Sequence, residues 1–543
     1  MSLVQSAKSL VQRGLSIVII DNGDSYTQIL ASACERAIGV NPRILSAQLT
    51  SALPPADVYV IGPGPGHPRD AGPLALKALQ STTPVVGICL GHQLIAHHYG
   101  AIVQPAEHPK HGMSSQVQHD GGDMFTGLRS PLEVMRYHSL DVSDLPSCLK
   151  ALATAEDGGI MALRHVEKPQ WGLQFHPESV GTPEGITLMR NVLLLALNLR
   201  EWAKQPYFAW LEFEGHTTIA CGSSRTEGET VIGACTYEAT NGTDAGQWQE
   251  EQAVCFTPEK MVQFPGTLPK IPGKPTAHSQ IQLRHSREEY RELIAQCQAA
   301  IHRGDSYELC LTTSAKVTLH NPDPLELYLR ARGGAMNGLL ITPEVTLISA
   351  SPELFLRCKD GVATTLPMKG TRPRAADPEA DAALRSDLES SVKDRAENMM
   401  VTDVLRNDLT RSCDPLSVEV TRLCEVVSFP QWHQMISEIT GRLRVPPLEA
   451  LRLAFPGGSM TGAPKQRTMD ILREIEGQPR GWYSGAMGII QGNDATFSML
   501  IRTAVLRGNT LTYGAGGAIT RLSDPDEEYD EVLTKLSALH KML

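Results

Sequence analysis

The sequence has no long apolar run, no regular cysteine spacing and no excess of positive charge. No stretch reaches the roughly 18 apolar residues that a membrane-spanning helix needs, so we expect no membrane association. The eleven cysteines are scattered without a C-x-x-C pair, which argues against a disulfide framework or a zinc site and favours the cytoplasm. The net charge of −11, without a basic stripe, argues against a nucleic-acid partner. The N-terminus also lacks the apolar segment of a signal peptide.

The remaining composition, 41% hydrophobic and 20% charged, is that of a globular protein with two or three domains. Alternating strand and helix signals predict an α/β domain over residues 1–200, with an open, mostly parallel sheet and flanking helices. Residues 201–285 are predicted to be a linker and a short N-terminal part of the next domain, with a loop over Thr240–Lys274. A capping box at Ser286 then starts a large α+β domain over residues 286–543.

The stretch Pro84–Tyr99 predicts a strand that turns sharply into a helix. Val85–Ile88 is an apolar run typical of a buried parallel strand, and a helical pattern follows Gly91. Cys89 lies at the turn, where unpaired N–H groups and the helix dipole favour a thiolate. We expect Gly87 and Gly91 to relax the backbone on either side. Cys89 is therefore a candidate nucleophile.

A second motif, QFHPES at Gln174–Ser179, supplies the partners that a nucleophilic cysteine needs. His176 can act as its base, and Glu178 can orient the imidazole ring. An inert buried cysteine is the alternative interpretation of a lone Cys89, because most cysteines are of that kind. The flanking glycines and the distant FHPE motif argue against it.

Residues from Leu15 to about Arg200 resemble a class I glutamine amidotransferase domain. The motifs that carry the resemblance, in family order, are GPGPGHP (Gly62–Pro68), GICLGHQ (Gly87–Gln93), HGMSS (His111–Ser115), RYHSL (Arg136–Leu140) and QFHPES. The resemblance implies glutamine hydrolysis through a thioester on Cys89, with His176 and Glu178 completing a triad. It also implies oxyanion N–H groups at Gly64 and Leu90, and a glutamine site at Gly66, Gln93, Ser139 and Leu140.

Two predicted helices in the second half each carry a pair of carboxylates on one face. Asp394 and Glu397 are three residues apart, as are Glu528 and Glu531. Together these four carboxylates could bind one hard cation, for which Mg²⁺ is the best candidate. For the second pair an ordinary alternative exists, because Glu531 and Lys535 have the i,i+4 spacing of a surface ion pair.

Two further segments indicate a ligand cavity. Lys369, in LPMKGTRPR, precedes a glycine near a predicted strand end and can point into a cavity, although most lysines are simply solvated. The segment YGAGGAI at Tyr513–Ile519 has backbone N–H groups without bulky side chains, which suit a ligand carboxylate. A short glycine pattern of this kind also fits a turn.

From about Ser286 to the C-terminus the chain resembles the chorismate-utilising enzymes. The resemblance rests on LISASPELFLR, PMKGTRPR, KDRAENMMVTDVLRNDL, FPGGSMTGAPK, RGWYSGAMG, IRT and GAGGAITRLSDPDEEYDE. It implies Mg²⁺ on Glu397 and Glu531, with Asp394 and Glu528 behind them. The implied contacts to chorismate are Gly370, Thr371, Lys465, Tyr483, Arg502, Gly514, Ala515, Gly516 and Lys535.

Lys369 distinguishes members of this family, because the aminodeoxychorismate synthases carry lysine there and the anthranilate synthases usually carry alanine. A lysine amine can attack C2 of chorismate and displace the 4-hydroxyl by an allylic shift, after which ammonia attacks C4 and expels the lysine. Glu353, in SASPE, resembles the family's general acid. Glu308 stands where relatives usually have glutamine, or lysine in the isochorismate-forming enzymes, which argues against attack by water.

The resemblance implies a fused enzyme that converts chorismate and glutamine into 4-amino-4-deoxychorismate and glutamate. Two alternatives stay open, an anthranilate synthase and a catalytically silent chorismate-binding scaffold. Because the sequence ends directly after the last predicted helix, we expect release of aminodeoxychorismate to a separate aminodeoxychorismate lyase.

Overall fold

The computed structural model describes residues 14–225, 228–239, 252–270, 273–429 and 432–543. Residues 1–13, where we predicted that no signal peptide is present, lie outside the described residues. The chain divides into two units. The first extends to Lys204 and includes Thr217–Ala220 and Glu259–Lys270, and the second takes the other residues. No helix in the described ranges is long and apolar enough to cross a membrane.

A nine-stranded sheet organises the first unit. Its parallel part has the spatial order Arg43–Ser46, Ile17–Asp21, Val58–Ile61, Val85–Ile88 and Gln170–Leu173. An antiparallel part continues it through Ile160–His165, Leu149–Ala155, Ile102–His119 and Leu132–Ser143. The helices are Thr27–Ile38, Pro73–Gln80, Leu90–His98, Gly185–Leu197 and Leu199–Trp202. The predicted α/β class is confirmed, but the sheet is mixed rather than mostly parallel, because four of its eight strand pairings are antiparallel.

The parallel strands bring the predicted catalytic segments of this unit to one edge. Val58–Ile61 and Val85–Ile88 are buried throughout, as expected for strands covered on both faces. Val85–Ile88 pairs in parallel with Val58–Ile61 on one side and with Gln170–Leu173 on the other. Because the carboxyl ends of parallel strands share an edge, the segments that follow these three strands lie close together.

The second unit contains two largely antiparallel sheets. In the first, the spatial order includes Tyr207–Phe213, Met336–Ile341, Thr346–Ser351, Thr503–Arg507, Thr510–Ile519, Glu308–Thr318 and Gln282–Leu283, and Gly462–Ala463 also pairs with Glu308–Thr318. The second has the order Ala253–Phe256, Thr230–Cys235, Ala486–Gln491, Asp494–Met499, Leu354–Lys359, Val362–Thr365, Trp432–Arg442 and Met368–Pro373, and Glu419–Ser428 also pairs with Trp432–Arg442.

Eight helices accompany these sheets in the described residues of the second unit. They are Arg287–His302, Pro324–Ala331, Pro378–Ser390, Val392–Ser412, Pro447–Ala454, Lys465–Glu476, Pro525–Leu536 and Ala538–Met542. The first begins with the predicted capping box, in which Ser286 Oγ accepts from the N–H of Glu289 at 3.2 Å and Glu289 Oε2 accepts from the N–H of Ser286 at 2.8 Å. The predicted α+β class is confirmed.

The loop predicted over Thr240–Lys274 is wrong in part. Strands occupy Ala253–Phe256 and Lys260–Pro265, while residues 240–251 and 271–272 lie outside the described residues. Ala253–Phe256 pairs with Thr230–Cys235 and buries alternate residues. These strands are short, so the turn-forming residues around them hide their period-2 pattern.

Two candidate active sites

Cys89 occupies a strained turn at the end of the buried strand Val85–Ile88. Its backbone has φ 51° and ψ −99°, and helix Leu90–His98 begins at the next residue. A non-glycine residue in such a conformation costs on the order of 1–3 kcal/mol, which surrounding structure must offset. The N–H of Cys89 donates to the carbonyl of Leu173 on the neighbouring strand at 2.7 Å. Cys89 therefore lies at the strand-to-helix elbow that the sequence predicts.

The two flanking glycines permit close packing, so the prediction that they relax the backbone is wrong. A Cβ atom on Gly87 would lie 2.4 Å from the carbonyl carbon of Gly91, and one on Gly91 would lie 2.2 Å from the carbonyl oxygen of Ile61. Neither glycine has a positive φ; the residue between them with a positive φ is Cys89. The glycines let the helix start approach the neighbouring strands, and this contact fixes the elbow.

His176 and Glu178 form the predicted pair beside the elbow. Nδ1 of His176 lies 2.7 Å from Oε1 of Glu178, and the rings of Tyr26 and Tyr137 contact the imidazole at centroid distances of 5.5 and 5.0 Å. The buried Nε2 of His176 has no hydrogen-bond partner within the described ranges. Burial alone would lower the pKa of His176, but Cys89 and Glu178 together raise it to about 10. The charged imidazole can therefore act as a proton donor at this site.

A cavity of about 460 Å³ opens above the elbow. It is lined by Asp24, Tyr26, Gly64, Cys89, His111, Gly112, Tyr137 and His176. Of the predicted oxyanion donors, Gly64 lies in this wall, and Leu90 is the first residue of the helix that follows Cys89, where N–H groups lack intrahelical acceptors. Tyr26 stands outside every motif that we quoted, and its position against His176 could be found only from the fold.

The other predicted glutamine-site residues do not line this cavity. Nε2 of Gln93 donates to the carbonyl of Leu140 at 3.0 Å. Oγ of Ser139 is 2.8 Å from Nε2 of His111, which does line the cavity. Gly66 has φ 89°, which explains a glycine there, but it does not line the cavity. Of these residues, Ser139 is thus the one shown in contact with the cavity wall.

A second cavity, of about 500 Å³, lies within the second unit. It brings together every predicted residue of that unit except Lys465. Those residues are Glu353, Lys369, Gly370, Thr371, Asp394, Glu397, Tyr483, Arg502, Gly514, Ala515, Gly516, Glu528, Glu531 and Lys535.

Backbone groups of the glycine-rich segment are available to this cavity. In strand Thr510–Ile519, Gly514 and Gly516 pair with Ser314 and Thr312 on one side. On the other side, pairing with Thr503–Arg507 ends at Tyr513, so that edge is open at Gly514. A Cβ atom on Gly514 would lie 2.3 Å from Cγ of Tyr483, so glycine is needed there. The segment is a strand edge suited to a ligand carboxylate, not a turn.

The four predicted metal ligands come from helices Val392–Ser412 and Pro525–Leu536. Three of these carboxylates already have cationic partners, in the pairs Asp394–Arg372 at 3.2 Å, Glu528–Lys393 at 3.2 Å and Glu531–Lys535 at 2.7 Å. The surface-pair interpretation of Glu531 and Lys535 is thus also correct, since their ion pair forms at the rim of the cavity. Within the described residues no group of three or more His, Cys, Asp and Glu side chains forms a metal site by itself.

Glu397 differs from the other three carboxylates. Its side chain has no hydrogen-bond or ion-pair partner in the described part of the chain, and the residue is only 9% exposed. Burial raises the pKa of Glu397 to about 7. A buried carboxylate without a partner fits a bound cation, and the donors nearby are oxygen atoms, which Mg²⁺ prefers. The residues present therefore fit this metal.

Two reactive groups complete the cavity. Glu353 is buried, and Oγ of Ser459 donates to its Oε1 at 2.7 Å. Burial raises the pKa of Glu353 to about 7, so this carboxyl can carry a proton near neutral pH. Lys369 lies on strand Met368–Pro373, and its Nζ is 3.2 Å from Oε1 of Glu308. Burial alone would lower the pKa of Lys369, but the carboxylates of Glu308 and Glu397 raise it above its ordinary value.

Lys465 is the predicted contact that the structure does not bring to this cavity. It begins helix Lys465–Glu476, and its Nζ donates to Asp408 at 2.9 Å and to the carbonyl of Ala454 at 2.8 Å. Lys465 and Asp408 both line a separate cavity of about 560 Å³. Conversely, Gln434 lines the second cavity, and its side chain donates to the carbonyl of Gly370 at 3.0 Å. No motif in the sequence indicated this residue.

Two protein families match successive parts of the chain. The class-I glutamine amidotransferases match residues 18–196, and the chorismate binding enzymes match residues 189–541. The aminodeoxychorismate synthase of Streptomyces griseus is 33% identical and aligns with 97% of this chain and 95% of its own. That of Streptomyces pristinaespiralis is 32% identical and aligns with 96% of each chain.

A solved structure shares the fold of the second unit. It is anthranilate synthase component I from Streptococcus pneumoniae TIGR4, with a TM-score of 0.51 at 22% identity, covering 63% of this chain and 91% of that one. Full-length identity above 30% is the stronger finding, because it spans both sites. The chain therefore belongs to the aminodeoxychorismate synthase family of chorismate binding enzymes, with a class-I glutamine amidotransferase domain at its N-terminus.

Proposed function

We propose that the protein converts chorismate and glutamine into 4-amino-4-deoxychorismate and glutamate. The observation that carries this proposal is the position of Lys369, an amine in the wall of a cavity that also holds the acid Glu353. A cavity with a nucleophilic triad in the same chain supplies a source of ammonia. Relatives that align over the full length bear the corresponding name.

In the first half of the reaction, the Cys89 thiolate attacks the amide carbon of glutamine. N–H groups of Gly64 and Leu90 stabilise the oxyanion, and the His176 imidazolium gives its proton to the leaving ammonia. Water then hydrolyses the thioester, with His176 as base, and releases glutamate. The ion pair between His176 and Glu178 keeps the ring in the orientation that both steps need.

In the second half, the Lys369 amine attacks C2 of chorismate. The ring double bond shifts, the C4–O bond breaks, and Glu353 protonates the departing hydroxyl, which leaves as water. Ammonia then attacks C4, the double bond shifts back, and Lys369 is expelled from C2. The net change replaces the 4-hydroxyl by an amino group. Tyr483, Arg502 and the open strand edge at Gly514 would hold the substrate carboxylates.

Magnesium is part of this proposal. Glu397 and Glu531 would hold the ion, with Asp394 and Glu528 behind them. Bound there, it would anchor a substrate carboxylate and offset the negative charge of the helix carboxylates. The unpartnered Glu397 supports this assignment.

Product identification tests the proposal. The protein is incubated with chorismate, glutamine and Mg²⁺, and products are separated by chromatography with mass detection; a sample without Mg²⁺ is the control. We expect aminodeoxychorismate, and 4-aminobenzoate only after a separate lyase is added. Anthranilate instead would overturn the role of Lys369 while leaving the amidotransferase assignment intact. Chorismate binding without turnover would point to a silent scaffold. The lyase as downstream partner and the cytoplasmic location stay predictions.

A further inference from the structure

Lys369 is held in a buried ion pair that the proposed reaction must break. Its side chain is 14% exposed, and that of its partner Glu308 is 3% exposed. Glu308 begins strand Glu308–Thr318, and its backbone is paired with Ala463. Among the described residues, Lys369 is the only hydrogen-bond partner of the Glu308 carboxylate. Glu308 lies outside the lining of the substrate cavity, so it contacts Lys369 from behind.

An ammonium group has no lone pair and cannot attack chorismate, so Lys369 must lose a proton first. Nearby ionisable groups come from several elements: Cys310 on the strand of Glu308, Glu397 on helix Val392–Ser412, Glu531 on helix Pro525–Leu536, and Glu353. None of these four has a hydrogen bond to Nζ of Lys369 within the described residues. Glu353 is also engaged by Ser459 and must give a proton rather than take one. Glu308 is the acceptor in contact with the nucleophile.

We propose that Glu308 is the base that takes the proton from the Lys369 ammonium, so that the free amine can attack C2; this inference rests on the proposed function. The proton moves across the existing 3.2 Å contact. The lysine–C2 bond then forms, the C4–O bond breaks, and Glu353 supplies the proton for the departing water. After ammonia has attacked C4, Lys369 leaves as a neutral amine and recovers its proton from Glu308. Glu353 is reprotonated by the new ammonium group of the product.

The proposal depends on the carboxylate of residue 308. Glutamine at this place could position Lys369 but could not accept its proton. A lysine buried beside glutamine would rely on desolvation to become neutral, whereas here Glu308 favours the charged form. Glu308→Gln therefore separates a positioning role from a proton-accepting role.

The test isolates attack by Lys369 from the use of ammonia. The full-length protein, chorismate and Mg²⁺ are mixed without glutamine or ammonium, and intact-protein mass spectrometry follows an adduct of chorismate minus water. Wild type, Glu308→Gln, Glu308→Asp and Lys369→Ala are compared between pH 6 and pH 9. The rate of each variant is divided by the wild-type rate at the same pH. Because Glu353 titrates in every form that keeps Lys369, its effect on the rate cancels in this ratio.

For Glu308→Gln we expect adduct formation at neutral pH to slow by about 10²-fold or more, as for loss of a general base. The ratio to wild type should rise with pH, because solvent must now deprotonate Lys369. Glu308→Asp should recover part of the rate, and glutaminase activity should be unchanged in all forms. An unchanged rate, or a loss by the same factor at every pH, would overturn the proton-accepting role.

Failure of the proposed function would look different. If wild type itself gives no adduct at Lys369 and no aminodeoxychorismate, the mechanism through Lys369 is wrong and Glu308 has no such task. If wild type gives both and Glu308→Gln matches it, only the role of Glu308 is wrong. Should Glu308→Gln fail to fold, shown by altered circular dichroism, Glu308→Asp alone must still show a slower rate whose ratio to wild type changes with pH.

Discussion

The two nucleophiles of this protein are prepared in different ways. Cys89 is placed by backbone geometry, with its own φ of 51° and two glycines that no larger residue could replace. Lys369 lies on strand Met368–Pro373, whose pairing with Trp432–Arg442 is irregular between Met368 and Thr371, and its ammonium group is held by the buried contact to Glu308. One site is thus fixed by a short stretch of sequence, and the other by side chains that come from distant segments.

The difference extends to the protons. At the first site Cys89 and Glu178 raise the pKa of His176 to about 10, so the charged imidazole is available there before the substrate binds. At the second site Glu308 favours the charged form of Lys369, so the reactive amine must be generated during the reaction.

The largest expected effect is that of Cys89→Ser. The hydroxyl is a far weaker nucleophile at the same position, so glutamine-dependent synthesis should fall by roughly 10⁴-fold or more. Synthesis with added ammonium salt should stay close to the wild-type rate, because the second cavity is untouched. Both rates are measured by product chromatography, and the ammonium-dependent rate is also the folding control. Equal loss of both activities would contradict two separable sites.

Lys369→Ala should produce the opposite pattern. Synthesis from either nitrogen source should fall by roughly 10³-fold or more, since no covalent intermediate can form. Glutamine hydrolysis, followed as glutamate release, should be retained. Val392→Ala is the matched control, because that side chain is exposed and outside the cavity lining. Aminodeoxychorismate formation at an unchanged rate would refute nucleophilic catalysis by Lys369.

The contrast also explains which features could be predicted from sequence. The residues of the first site directly follow parallel strands, and strand order brings the loops of Cys89, His176 and Glu178 to one edge of the sheet. Local sequence patterns were therefore sufficient to predict this site. The spacing of Asp394 with Glu397, and of Glu528 with Glu531, predicted that these carboxylates could share one site, and all four line one cavity. Side-chain direction at the start of a helix is not set by sequence pattern, and Lys465 accordingly contacts Asp408 instead.

Two other features depended on tertiary structure. The role of Gly87 as a close contact with Gly91 is visible only when strand and helix are packed. The contact between Glu308 and Lys369 joins residues that are 61 positions apart on two different sheets, and no local pattern encodes such a pair. Long-range ion pairs of this kind decide the protonation state of a site, and so its chemistry, after the fold has formed.

The smallest predicted effect is a shift in pH dependence at the second site. Glu353 must be protonated to release the hydroxyl, so adduct formation in wild type should fall as the pH rises above about 7, the pKa of this buried carboxyl. Oγ of Ser459 donates to Glu353 and stabilises its charged form. In Ser459→Ala that stabilisation is lost, so the pKa of Glu353 should rise. The falling limb of the pH–rate profile should then move to higher pH by about one unit.

The ammonia-free adduct assay measures this limb directly, because the supply of ammonia does not enter it. Gln434→Ala is the control, since Gln434 lines the same cavity but donates to Gly370 instead of Glu353. It should leave the position of the limb unchanged. The glutaminase rate of Ser459→Ala should keep the wild-type pH profile, because neither Ser459 nor Glu353 lines the cavity at Cys89. A limb that stays in place, or moves to lower pH, would mean that a group other than Glu353 protonates the leaving hydroxyl.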